Sequence, residues 1–235
     1  MRLFGPVHLS LVVAIAAAAI LLALLCRRRP SFGPPLARAL GCALAVNEIA
    51  WWIFRYSHEG FRFPQNVPLQ LCDLAGWVAV AACLTRAPLM AELTYLGGFT
   101  AAAMAILTPD LWSPWPSWPA IYFFLSHGGI VIAAAILIYG RLVPLRRGAV
   151  WRTFGVVLGY ALIVGTFDGI FHVNYMYLCS KPRSSTLLNA MGPWPVYLFA
   201  GAALALFLFW LLWLGSRFGR NTVSSPISGR NEQTR

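Results

Sequence analysis

Residues Pro6–Arg29 read PVHLSLVVAIAAAAILLALLCRRR: a long apolar run interrupted only by His8 and Ser10, then Cys26 and three arginines. About 20 apolar residues suffice to cross the hydrocarbon of a bilayer. Three consecutive arginines resist translocation and mark the cytoplasmic end of such a run. The stretch outlasts the apolar core of a secretory signal peptide, and Cys26 lacks the small preceding residue of a lipoprotein cleavage site. It reads as a retained membrane anchor.

Working outward, the same pattern recurs along the 235 residues. Further spans are expected at Leu36–Tyr56, Val67–Leu84, Leu89–Leu107, Pro119–Tyr139, Trp151–Phe171 and Pro195–Leu214, with the first at Pro6–Leu25. Composition agrees: 59% of residues are hydrophobic and only 11% charged, against about 25% charged in soluble domains. Mean hydropathy is +0.69. The fold class predicted is all-α, a polytopic bundle of seven helices filling residues 1–216. A polar, Ser- and Gly-rich tail over 217–235 is expected to be disordered and cytoplasmic.

The net charge of +11 does not point to nucleic acid, because the cations lie between spans rather than along one face. With the N-terminus outside, 13 of the 18 Lys and Arg fall on inner segments and 5 on outer ones. This bias predicts N-terminus out and C-terminus in, with a basic face that attracts anionic lipid. The five cysteines show no CxxC or metal spacing, and no cofactor or metal is expected. Cys72 and Cys179 both fall toward the outer side, where a bridge is conceivable.

Two outer connections carry information. Thr108–Pro119 (TPDLWSPWPSWP) spaces Trp112, Trp115 and Trp118 by three among prolines, a pattern suited to headgroup anchoring. The longer His172–Trp194 connection is expected to hold a short helix over Leu187–Ala190, capped by Ser184, Ser185 or Thr186. Lys181 and Arg183 beside that helix start would suit a lipid phosphate.

Ionisable side chains inside a span are costly and default to functional candidates. Glu48, Asp73 and His127 each fall roughly 9–12 Å below the outer end of their spans at about 1.5 Å per residue, with Asp168 about one turn from its own end. Asn47, Gln70, Asn174, Tyr175 and His8 join this outer layer, whereas the inner half offers almost nothing comparable. The reading is an outer-half cavity. His127 with Glu48 or Asp73 would make a base and an orienting carboxylate, and Cys72 could serve as a nucleophile. The GxxxG pairs Gly155/Gly159 and Gly165/Gly169 are expected to bring span six close to its neighbours. The sole lysine, Lys181, lies in a loop, which excludes a retinal Schiff base.

The residues Pro68-Leu69-Gln70-Leu71-Cys72-Asp73, Ser126-His127-Gly128 and above all Asn174-Tyr175-Met176…Lys181-Pro182…Gly192-Pro193-Trp194-Pro195 resemble the YwaF-like family of bacterial integral membrane proteins. That family is distantly similar to an animal transmembrane family linked to acyl transfer between phospholipids. The resemblance implies a multi-pass protein of the bacterial plasma membrane, with phospholipid partners and a Cys and a His as catalytic candidates. Gln70 stands where the family often has His, so His127 would have to carry that role. Three readings follow: a lipid-modifying enzyme such as an acyltransferase, a proton-coupled carrier, or a receptor-like or assembly protein.

Overall fold

The computed structural model describes residues 3–111, 113–181 and 187–221. It is all-helical among these residues. Six helices are long and apolar enough to cross a membrane: α1 (Pro6–Arg28), α2 (Gly33–Glu59), α4 (Pro88–Leu107), α5 (Trp118–Ile138), α6 (Ala149–Phe171) and α7 (Val196–Asn221). A seventh apolar helix, α3 (Leu71–Thr85), has 15 residues, about 22 Å at 1.5 Å per residue, short of a full crossing. Proline opens α1, α2, α4 and α5 at the first turn, where its missing N–H costs nothing. A π turn at Leu93–Gly98 interrupts α4. A single helical turn at Leu187–Ala190 forms where expected; Ser184, Ser185 and Thr186 lie outside the described residues.

The central pillar is α5, 72% buried, against 11% for α6 and 6% for α7. Its small residues permit this. Gly128 takes the Ile15 side chain of α1, and Gly129 takes Leu44 of α2. His8 lies beside Phe124, Ile15 beside Gly128 and Cys26 beside Gly140, so α1 and α5 run parallel. Gly41 lies beside Cys83 and Glu48 beside Gly76, so α2 and α3 are antiparallel. The bundle therefore has an arginine-rich end, where α1, α3 and α5 finish, and an arginine-poor end opposite.

Three expectations are corrected. Span three does not begin at Val67. The chain from Gly60 to Gln70 instead runs back along α6 without regular structure, with Phe63 against Phe171 and Phe167, and α3 starts only at Leu71. Tyr160, the middle residue of α6, donates to the Leu69 carbonyl at 3.1 Å. Leu69, just before α3, thus lies beside α6 rather than beyond its end. Non-helical backbone at membrane depth is tolerated only against protein or water, and side chains satisfy it here. Asn66 accepts from Arg62 N and donates to Gly60 O, both at 2.7 Å. Second, nothing stands near a Cβ built on Gly155, Gly159 or Gly169, and only Leu178 approaches Gly165. The GxxxG pairs of α6 thus pack against no neighbouring helix. Third, α7 continues to Asn221, past Arg217 where the tail was expected to start; residues 222–235 lie outside the described residues.

Candidate functional site

The truncation of α3 builds the site. Its first turn carries Cys72 and Asp73 into the bundle, and Asp73 Oδ2 accepts the Gln70 N–H at 3.0 Å to cap the helix. Two turns of neighbouring helices meet it from below. Glu48 of α2, fully buried, accepts Tyr122 Oη at 2.8 Å on Oε2 and Ser126 Oγ at 2.6 Å on Oε1. Tyr122 and Ser126 sit four apart on α5, so one helix face supplies both donors. Trp51 stacks on Tyr122 with ring centroids 4.3 Å apart, fixing the phenol. Gly76 completes the cradle: a Cβ there would stand 2.9 Å from Glu48 Oε1, so the carboxylate rests directly on the α3 backbone.

Glu48 and Arg55 both exert their charge on Asp73, which places the three in one polar region. No salt bridge among the described residues reaches Glu48 or Asp73. Two carboxylates and a thiol are thus gathered around the start of α3, and Arg55, whose charge reaches Asp73, is itself paired with Glu59 at 3.1 Å.

A lid segment closes this region from the arginine-poor end. Asp168 Oδ1 accepts Tyr175 N at 3.0 Å, and the Tyr175 hydroxyl donates to Pro64 O at 2.7 Å while accepting Val67 N at 3.0 Å. Met176 N donates to Gln70 Oε1 at 3.0 Å, and Tyr197 Oη donates to Tyr177 O at 2.6 Å. These bonds hold Met176 and Tyr177 at φ of +53° and +57°, a left-handed conformation that costs a non-glycine residue of order 1–3 kcal/mol and clusters at functional sites. Burial, with Asp110 hydrogen-bonded beside it, holds the Tyr177 phenol above its usual range, and Cys72 lies within its electrostatic reach.

Other residues singled out from sequence are placed apart. His127 does not bond a carboxylate. Its Nδ1 bonds the Phe123 carbonyl of its own helix at 2.8 Å, its ring packs on Phe123, and the buried Nε2 has no partner. Asn174 uses both ends of its amide inside the 174–180 turn, on Cys179 N, Ser180 N and Ser180 O. Lys181 approaches the Asn189 carbonyl at 3.4 Å and lies over the Tyr197 ring; Arg183 lies outside the described residues. Cys72 and Cys179 are free thiols, with no bridge between them. His8 is fully engaged by Phe4 N and Ile106 O.

Residues 3–214 match the TMEM164 family. The chain belongs to the TMEM164 family. No curated protein and no solved structure matches it. This establishes a multi-pass membrane protein of a family related to the animal TMEM164, the coarser part of the resemblance read from sequence.

Several residues of this TMEM164-family chain escape a reading of single spans. Tyr122 and Ser126 could have been found as the hydroxyls four apart facing Glu48's level. The arginine-rich half is also not empty. Glu92, fully buried, accepts Arg146 Nε and Arg152 Nη2 at 2.8 Å on Oε1, and Arg146 Nη2 and Arg152 Nε at 3.0 Å on Oε2. Those bonds to Glu92 hold the Arg146 guanidinium above its ordinary value. Beside this clamp Tyr95 Oη bonds Tyr139 Oη at 2.6 Å and donates to Leu212 O at 2.9 Å.

Proposed function

We propose that the protein modifies membrane lipid by acyl transfer, in a bacterial plasma membrane, with its N-terminus outside and C-terminus inside. The observation that carries this reading is the short α3, whose first turn holds a thiol beside the buried Glu48 cradle and under the Asp168–Tyr175 segment. The N–H groups of Leu71 and Cys72 have no intrahelical acceptor. They are suited to the oxyanion that forms when an ester carbonyl is attacked.

In this scheme the His127 side chain, whose Nε2 carries no partner among the described residues, turns from Phe123 toward Cys72 and takes the proton of its thiol. The sulfur attacks the ester carbonyl of a phospholipid, the ester C–O bond breaks, and the lysophospholipid leaves as an alcohol by taking that proton. The hydroxyl of a second lysophospholipid then attacks the thioester. Its proton passes through His127 to the departing sulfur, which restores the thiol. Glu48, Asp73 and Gln70 shape the polar floor, Asp168 and Tyr175 hold the lid, and Lys181 with Arg183 receives the headgroup phosphate.

A carrier is less well supported. In the arginine-rich half the polar groups of the Glu92 clamp and of the Tyr95–Tyr139–Leu212 bonds are engaged with one another, and among the described residues no chain of hydrogen bonds joins them to Glu48.

The test is transfer itself. Purified protein in vesicles receives a phospholipid with an isotope-labelled acyl chain and an unlabelled lysophospholipid acceptor. Label should move to the acceptor, and Cys72→Ser should abolish the movement. Wild-type protein that moves no label in vesicles where it is folded would end this reading. Gly148→Cys should be labelled only from the inside; labelling from outside in intact cells would reverse the orientation.

A further inference from the structure

A second site stands at the opposite end of the bundle. A cavity of 330 Å³ opens between the ends of α1, α3 and α5 and the start of α2, with Arg27, Arg86 and Arg141 in its wall beside Cys26, Pro34 and Gly140. Among the described residues, no acidic side chain lines it. Arg27 and Arg86 are half-buried in that wall, where like charges sharing one space repel more strongly than in open water. The buried acid of this half, Glu92, is already taken by Arg146 and Arg152.

Capping is at most part of the role of these arginines. Cations at helix C-termini commonly serve the last carbonyls, and backbone donors already take several of them here. Arg29 N bonds Leu25 O, Arg86 N bonds Ala82 O, and Gly140 and Leu142 N bond Ala135 and Leu137 O, all at 2.8–3.0 Å. Arg86 and Arg141 also sit at φ of +55° and +63°, where glycine would fit without strain. The start of α2 at Gly33–Pro34 adds the positive end of a helix dipole to the same wall.

We propose that this cavity binds a phosphate-bearing anion held by Arg27, Arg86 and Arg141. Guanidinium forks match phosphate oxygens, and three of them on separate elements suit a tetrahedral group better than a flat carboxylate. The volume sits at the small end of the roughly 300–1,000 Å³ of ligand pockets, enough for one phosphate and a small substituent. The cation-rich end faces the anionic leaflet under the charge rule, so a phospholipid headgroup and a soluble phosphate share this chemistry. The inference does not rest on acyl transfer.

The test titrates detergent-purified protein with inorganic phosphate, short-chain phosphatidate and short-chain phosphatidylcholine. Phosphate and phosphatidate should bind; tighter phosphatidate marks a lipid headgroup, and equal or tighter phosphate marks a soluble anion. Arg86→Gln and Arg141→Gln should each weaken binding about tenfold, while Cys72→Ser and the double variant Arg38→Gln/Arg147→Gln leave it unchanged. In wild-type protein, phosphate should slow hydrogen exchange at residues 26–34, 86 and 140–142, a readout that needs no variant to fold. Equal binding by the cavity variants, an equal loss in the Arg38/Arg147 double variant, or no exchange protection would overturn the site.

Discussion

Two buried glutamates divide the molecule. Glu48 and Glu92 are both fully buried, both within apolar helices, and each accepts hydrogen bonds on both oxygens. Glu92 meets two guanidiniums and is neutralised by them, a complete device that ties α4 to the α5–α6 connection and to α6. Glu48 meets two neutral hydroxyls and a glycine, and the groups gathered near it are a second carboxylate and a thiol. A buried charge that the fold neutralises serves the fold. A buried carboxyl that the fold cradles without a cation is expensive to keep, and its retention points to chemistry.

The contrast can be broken most forcefully at Glu92. Glu92→Gln leaves two guanidiniums without their anion and should cost about 3 kcal/mol, the low end for a broken buried pair because both arginines are partly exposed. Thermal unfolding in detergent would show it as a clear drop in melting temperature. The contrast sharpens at Gly76. Gly76→Ala places a Cβ against Glu48 Oε1 and should destabilise by about 1–3 kcal/mol, the cost of overpacking, with transfer lost. A melting temperature unchanged by this variant would remove the claim that Glu48 rests on the α3 backbone.

Smaller effects belong to the lid and the histidine. Tyr175→Phe removes the hydroxyl that bridges Pro64 O and Val67 N and should cost about 1–2 kcal/mol. Hydrogen exchange should rise locally over 60–70 and 172–181 rather than through the bundle. His127→Gln is expected to change stability by under about 1 kcal/mol, since functional side chains are often neutral to replace, while abolishing lipid transfer. Melting temperature and the vesicle assay measured on one preparation check both halves of that statement.

The long spans were legible because twenty-residue apolar runs have one solution in a bilayer. The start of α3 was not, because VPLQLCDLAGW is apolar enough to read as membrane throughout, while the Gln70–Asp73 capping box that sets the start at Leu71 is inconspicuous within it. Glu48 was found because a lone carboxylate in a span is conspicuous. Its partners were not, because hydroxyls cost little in a helix and announce nothing. Glu92 lies three residues inside the expected Leu89–Leu107 span, and only the packing of Arg146 and Arg152 onto it reveals full burial. His127 was expected on a carboxylate, but its own helix supplied the nearer acceptor at Phe123.

The central claim is that the carboxylate-rich end works through Cys72. The direct measurement is mass spectrometry of proteolytic fragments after incubation with a phospholipid carrying a labelled acyl chain and no acceptor. One labelled acyl group should appear on the fragment containing Cys72, disappear with neutral hydroxylamine, and be absent from Cys72→Ser. Continued lipid transfer by Cys72→Ser, or label confined to Cys26, Cys42, Cys83 or Cys179, would contradict the account.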